Sequence, residues 1–261
     1  MTATSTLTLL PRETDDIENE AAICGLLATF FLRNPDQKLL EALSQLDATG
    51  FEAFPTLQPT VSHLKDIATA GQHGDEVVLN LKRDWTKLFR GISPDYGPTA
   101  PYAFLFLRGD TPNLLSDLAA LYLDGGYDGY QEIHDRLDYI GTCFDYLKTV
   151  DLQRIHAVAQ SDLTNFNRLT LCRNTFMRLY FMPWIAEYIA RARKFVQTDF
   201  YNEVFNLTLA YLDTLKDMQT AMPSLLSEAE SLAIARQEEE ATRQMIAAME
   251  AEEKATNHAS A

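Results

Sequence analysis

LDYIGTCFDYL, residues 137–147, sets Leu137, Ile140, Gly141, Phe144 and Leu147 at spacings of three, four and seven. Those spacings mark one face of an α-helix, so the apolar stripe reads as core. Asp138 and Asp145 share a second stripe, and Tyr139, Cys143 and Tyr146 a third. The same period runs through most of the chain, and strand-like alternation is almost absent. An all-α fold follows.

Working outward, Ile17, Ala21, Cys24, Leu27, Ala28 and Phe31 mark a first helix, with Asp15 or Asp16 as its cap and Asn34-Pro35 as its end. Leu39, Leu40, Leu43 and Leu46 mark a second, and Val61, Leu64, Ile67 and Ala68 a third, closed by the turn at 71–74. Val77, Val78, Leu81, Trp85, Leu88 and Phe89 give a fourth with a wide apolar stripe. Three prolines and two glycines make 91–101 a loop, and Leu114–Tyr122 a helix stopped by Gly125-Gly126. Long helices are expected over 132–150, 163–181, 184–197 and 200–218, with Pro183 forcing a kink or a new start.

The resulting organisation is a flexible arm over 1–14, a helical domain over 15–224 and a charged tail, helical or disordered, over 225–261. GGYDGYQ, 125–131, is the candidate hinge between helical subdomains at 15–125 and 132–224.

Acidic side chains number 37 against 22 basic ones, for a net charge of −15. Such a surface repels phosphate backbones and anionic lipid and draws in cationic polypeptide. The three cysteines, Cys24, Cys143 and Cys172, form no CxxC and no disulfide framework, as in a reducing compartment. MTATSTLTLLPR, 1–12, lacks the basic start and apolar run of a signal peptide, and no window reaches the roughly 18 apolar residues of a membrane span. The expectation is a soluble, cytoplasmic protein.

Catalytic machinery is hard to find. The five histidines form no HxxxH or HExxH cluster, GQHG lacks the lysine and hydroxyl of a phosphate loop, and no GxSxG elbow occurs. The pairs Asp15-Asp16 and Asp135/Asp138 could bind magnesium in a helical enzyme, but the usual clustered aspartates of two facing helices are not visible. No metal, no cofactor and no enzymatic activity are expected.

DWTKLFRGISPDYGPTAPYAFLFL, 84–107, offers instead a place to hold another polypeptide. Trp85, Leu88 and Phe89 sit at helical spacing, as core residues do. Pro101, Tyr102, Phe104 and Phe106 are harder to bury together, because Phe104 and Phe106 point to different sides of a helix. Open aromatic surface of this kind suits an apolar helix in a groove. Asp138 and Asp145, beside tyrosines, would receive guanidinium groups in charge-assisted pairs, the alternative being a solvated acidic face. An adaptor acting through the charged C-terminal helix is the competing function.

Taken in order, these segments resemble the TorD/DmsD family of cytoplasmic chaperones for molybdenum enzymes. Asp84–Phe89 is similar to its acidic-aromatic-x-x-Leu-Phe helix end, and Pro101-Tyr102 to its Pro-Tyr segment. Leu114–Gly126 resembles its Tyr-x-x-x-Gly helix, and Asp138–Leu147 its Asp-His-Ile-Gly-x-Glu-Leu-Glu-Phe-Met motif. Met182–Leu212 resembles its Pro-Trp and Phe-Tyr helices, so the resemblance spans about 15–218. Tyr139 stands where the family has histidine, Cys143 where it has its first glutamate, and the proline before the Asp-His pair is missing.

The resemblance implies a TorD-like helical bundle that binds the twin-arginine signal peptide of a molybdenum oxidoreductase catalytic-subunit precursor. The client, not this chain, carries the molybdopterin cofactor. Trp85, Leu88, Phe89, Pro101, Tyr102, Asp138, Tyr139 and Asp145 are the implied peptide-binding residues. Asp138, Asp145 and Asp84 would take the arginines. A monomer or a domain-swapped dimer is expected, without nucleic acid or membrane insertion, and no residues locate a guanine-nucleotide site.

Overall fold

The computed structural model describes residues 11–47, 51, 54–71, 74–91, 95–107, 113–129 and 135–221. They build α1 (Pro11–Leu32), α2 (Gln37–Ser44), α3 (Gln58–Gly71), α4 (Asp75–Phe89) and α5 (Leu114–Asp124), followed by α6 (Ile140–Ala159), α7 (Leu163–Phe176), α8 (Met182–Ala192) and α9 (Asp199–Ala221). Among the described residues no strand occurs, and the all-α reading holds. Residues 1–214 form one compact unit and 215–261 a second, of which only the end of α9 is described. Of the arm expected over 1–14, residues 11–14 belong to α1, and 1–10 lie outside the described residues, as do the tail over 225–261 and the hinge residues 130–131.

Local chemistry sets the helix bounds. Asp36, extended, accepts the Leu39 N–H at 2.9 Å and caps α2, and Asp162 accepts the Asn165 N–H at 3.0 Å and caps α7. Gly125 and Gly126 end α5 as expected, Gly126 at φ +69°. Asp15 and Asp16 lie inside α1 rather than at its cap, because the helix already runs from Pro11. Pro183 falls in the first turn of α8, where its missing N–H does no harm. The helix expected over 163–181 instead loosens to π spacing at Met177–Phe181 just before that proline, and the one expected over 184–197 stops at Ala192 with a tight turn at Arg193–Phe195.

One boundary differs more. The helix expected from 132 begins at Ile140, and Tyr139 before it is extended, at φ −73° and ψ 137°. Its backbone pairs with Tyr102 in an isolated antiparallel bridge. The Ala103 N–H donates to the Asp138 carbonyl at 2.9 Å, and the Ile140 N–H to the Pro101 carbonyl at 3.0 Å. Asp138 and Tyr139 are therefore not helical, and Asp138 does not share a helix stripe with Asp145.

The interior is aromatic. Phe31 of α1 stacks on Phe144 of α6 with centroids 5.6 Å apart and meets Phe89 of α4 edge-on at 5.1 Å. Phe89 in turn meets Tyr201 and Phe205 of α9 at 5.4 and 6.2 Å. α1 lies along α6, and Gly141 lets them approach: a Cβ there would sit 2.7 Å from Leu32 Cγ and 2.9 Å from a Tyr139 ring carbon. Gly141→Ala should cost about 1–3 kcal/mol by overpacking, read as a lower urea midpoint. An unchanged midpoint would mean that Leu32 gives way freely.

The same helices enclose a charge cluster. Arg173 of α7 bonds Glu20 of α1 at 2.5 Å and faces Asp151 of α6 at 2.8 Å, while Arg154 also bonds Asp151 at 2.8 Å. Burial pulls the Arg173 guanidinium down, but the Asp151 and Glu20 carboxylates outweigh it and hold it well above the ordinary value. Burial pushes the Glu20 carboxyl up, and Arg173 offsets only part of the rise. Arg173→Met would strand the buried Glu20 and leave Asp151 with Arg154 alone, so thermal and urea melts should show a loss of about 3–5 kcal/mol.

Candidate functional site

The two stretches that stand out in the sequence meet in space, joined by the bridge between Tyr102 and Tyr139. Beyond Tyr102 the chain turns once at Ala103–Leu105 and leaves Phe104 60% and Leu105 45% exposed. Phe106 goes inward, stacked on Trp184 of α8 at 5.5 Å. The opposite orientation expected for Phe104 and Phe106 is what the turn produces.

Carboxylates line the other side of the bridge. Asp138 is fully buried, and its carboxylate accepts the Phe104 N–H at 3.1 Å and two bonds from the Arg136 guanidinium at 2.8 and 3.1 Å. Asp135 accepts from the Tyr102 hydroxyl and from Arg90, both at 3.0 Å. Burial and the Asp135 carboxylate push the Tyr102 phenol up to about 12, against the pull of Arg90 and Arg136, so it stays a neutral donor across the physiological range.

The other expected site residues take different places. Trp85, Leu88, Phe89 and Tyr139 are buried, and Pro101 with them. Trp85 meets Phe89 edge-on at 6.2 Å, and Phe89 belongs to the α1–α9 aromatic interior. Tyr139 packs its ring 5.4 Å from Tyr102 and donates its hydroxyl to the Phe31 carbonyl at 2.7 Å, near the end of α1. Burial pushes its phenol far above the usual range. Asp145 takes other partners, the Tyr127 hydroxyl at 2.9 Å and Lys148.

Asp84 works at a helix end. Buried in α4, it accepts the Gln197 N–H at 3.1 Å, the Thr198 N–H at 2.9 Å and the Thr198 hydroxyl at 2.7 Å, the two residues that lead into α9. A carboxylate on those amides satisfies N–H groups that the helix leaves without partners and favours its positive end. Asp84→Ala should lower stability by about 1–3 kcal/mol in urea unfolding, because it takes the acceptor from the part-buried Gln197 and Thr198 donors and leaves an uncapped helix start. Equal stability would show that water replaces the carboxylate without loss.

The sequence reading passed over Arg90 and Arg136. Their signal was the run Asp135-Arg136-Leu137-Asp138, an arginine between two acids, and an arginine one residue beyond an aromatic helix end. Among the described residues, no group of three or more His, Cys, Asp or Glu side chains could hold a metal. No described helix is long and apolar enough to cross a membrane.

The model of the nitrate reductase delta subunit family matches residues 36–190, a span that contains the bridge and both carboxylates. The chain belongs to that family. Its members are TorD-type chaperones for the maturation of redox enzymes, which act with molybdoenzyme catalytic subunits. No solved structure matches the chain.

Proposed function

We propose that the chain is a cytoplasmic chaperone for one molybdenum oxidoreductase. It binds the catalytic-subunit precursor at its twin-arginine signal peptide and holds it for cofactor insertion before export or assembly. It performs no catalysis and carries no cofactor of its own, the molybdopterin belonging to the client.

The observation that carries this reading is the pairing of exposed Phe104 and Leu105 with guanidinium-binding carboxylates at Asp135 and Asp138. A signal peptide presents arginines followed by an apolar helix, and this surface offers partners to both halves. Pro101, Tyr102, Asp138 and Tyr139 then form the site or its frame, while Trp85, Leu88 and Phe89 support it from the interior. A net charge of −15 speeds capture of such a ligand, an effect that salt weakens.

Phe104 tests the reading cleanly, because its exposed ring can be removed without touching the core. Phe104→Ser should weaken binding of the precursor's signal peptide about tenfold, in the range of an interface anchor, with an unchanged melting temperature. Unchanged affinity would move the peptide elsewhere. Recovery of the mature catalytic subunit alone, with no affinity for its leader peptide, would overturn the signal-peptide assignment within the same family.

A further inference from the structure

Asp135 and Asp138 each hold an arginine of the chain itself, and each arginine also lies over aromatic rings. Arg90 pairs with Asp135 at 3.0 Å, its guanidinium 4.4 Å from the Trp85 ring centre and 5.8 Å from that of Tyr139. Arg136 pairs with Asp138 at 2.8 Å, 5.2 Å from the Tyr102 ring centre and 5.8 Å from that of Phe104. The two seats share a wall. Tyr102 carries Arg136 on its ring, donates its hydroxyl to Asp135 at 3.0 Å, and packs 5.4 Å from the Tyr139 ring beneath Arg90.

Exposure separates the occupants from their seats. The Arg90 and Arg136 side chains are 37% and 47% exposed, against 11% for Asp135 and 0% for Asp138. A buried carboxylate without a cation is costly, so Asp138 needs an occupant even when no ligand is present. A half-exposed arginine is inexpensive to displace, since it regains water on leaving and ion pairs at the surface contribute little. The seats also select chemistry. Stacking on rings at both seats, with the paired bonds at Asp138, favours a planar guanidinium over an ammonium.

Resting on the functional reading above, we propose that Arg90 and Arg136 are resident occupants of a double guanidinium seat, and that a polypeptide with two arginines binds by displacing them. The residents keep the carboxylates paired in the free chaperone. They also lower its affinity by competition, so that a bare pair of arginines binds weakly and adjoining apolar contacts are required.

The test uses arginyl-arginine amide and lysyl-lysine amide on the full chain, followed by calorimetry and thermal melting. With Arg90→Ala and Arg136→Ala combined, arginyl-arginine amide should bind at least about tenfold more tightly than to the wild type and raise the melting temperature by several degrees. Lysyl-lysine amide should do neither. Equal or weaker affinity than the wild type overturns the proposal, as does an equal gain for the lysine ligand. Should the loss of Arg136 prevent folding, Arg90→Ala alone vacates the more open seat, and it should gain affinity for arginine amide. Gain for the amide without any binding of the signal peptide would keep the seats and sink the signal-peptide reading. Signal-peptide binding that none of these variants alters would sink the seats and leave that reading standing.

Discussion

Where a helix end packs inward, it brings backbone groups that have lost water and lack a helical partner. Asp84 meets this need at the start of α9, reaching across from α4 to take the Gln197 and Thr198 amides. Tyrosines meet it at carbonyl ends. Tyr139 donates to the Phe31 carbonyl at 2.7 Å and Tyr188 to that of Leu88 at 3.2 Å, while Tyr146 adds a second donor, at 3.1 Å, to the Leu121 carbonyl that already takes the Gly125 N–H. These contacts tie α1, α4, α5, α6, α8 and α9 together at their ends. The acidic and aromatic residues that resemble a binding motif are thus to a large degree the fasteners of the fold.

Charge follows the same rule of satisfaction. Arg173 stands between Glu20 and Asp151 where α1, α6 and α7 meet, and both of these buried acids have a cation beside them. Asp138 obeys it at the border of the protein, where its cation comes from the half-exposed side. A fully buried pair such as Arg173–Glu20 is fixed. A pair with one partner in water can be exchanged, and that difference places the candidate site at Asp135 and Asp138 rather than at the interior cluster.

Much of the fold was legible because helical periodicity is local. Asn34-Pro35 and Gly125-Gly126 end helices where their chemistry requires, and Pro183 opens one. The start of α6 was not legible. Leu137, Asp138 and Tyr139 fit a helix face on paper, but the Asp138 carbonyl and carboxylate are claimed by the Ala103 and Phe104 amides, 35 and 34 residues away. Spacing along one segment cannot anticipate a partner so distant. The site was half legible for the same reason. Tyr102 and Asp138 were named for the peptide and Asp135 only as a magnesium candidate, whereas Arg90 and Arg136 acquire meaning only once the bridge sets α4, the turn and α6 side by side.

On the proposed reading a client peptide is held at the bridged turns, beside helix ends that Asp84, Tyr139 and Tyr188 fasten. Hydrogen exchange of the full chain with and without the precursor's signal peptide tests it most directly. New protection should concentrate in the amides of 102–107 and 135–140, with little change at Gln197 and Thr198, whose donors Asp84 already holds. Protection confined to residues beyond 214, or spread over surfaces remote from the bridge, would contradict it.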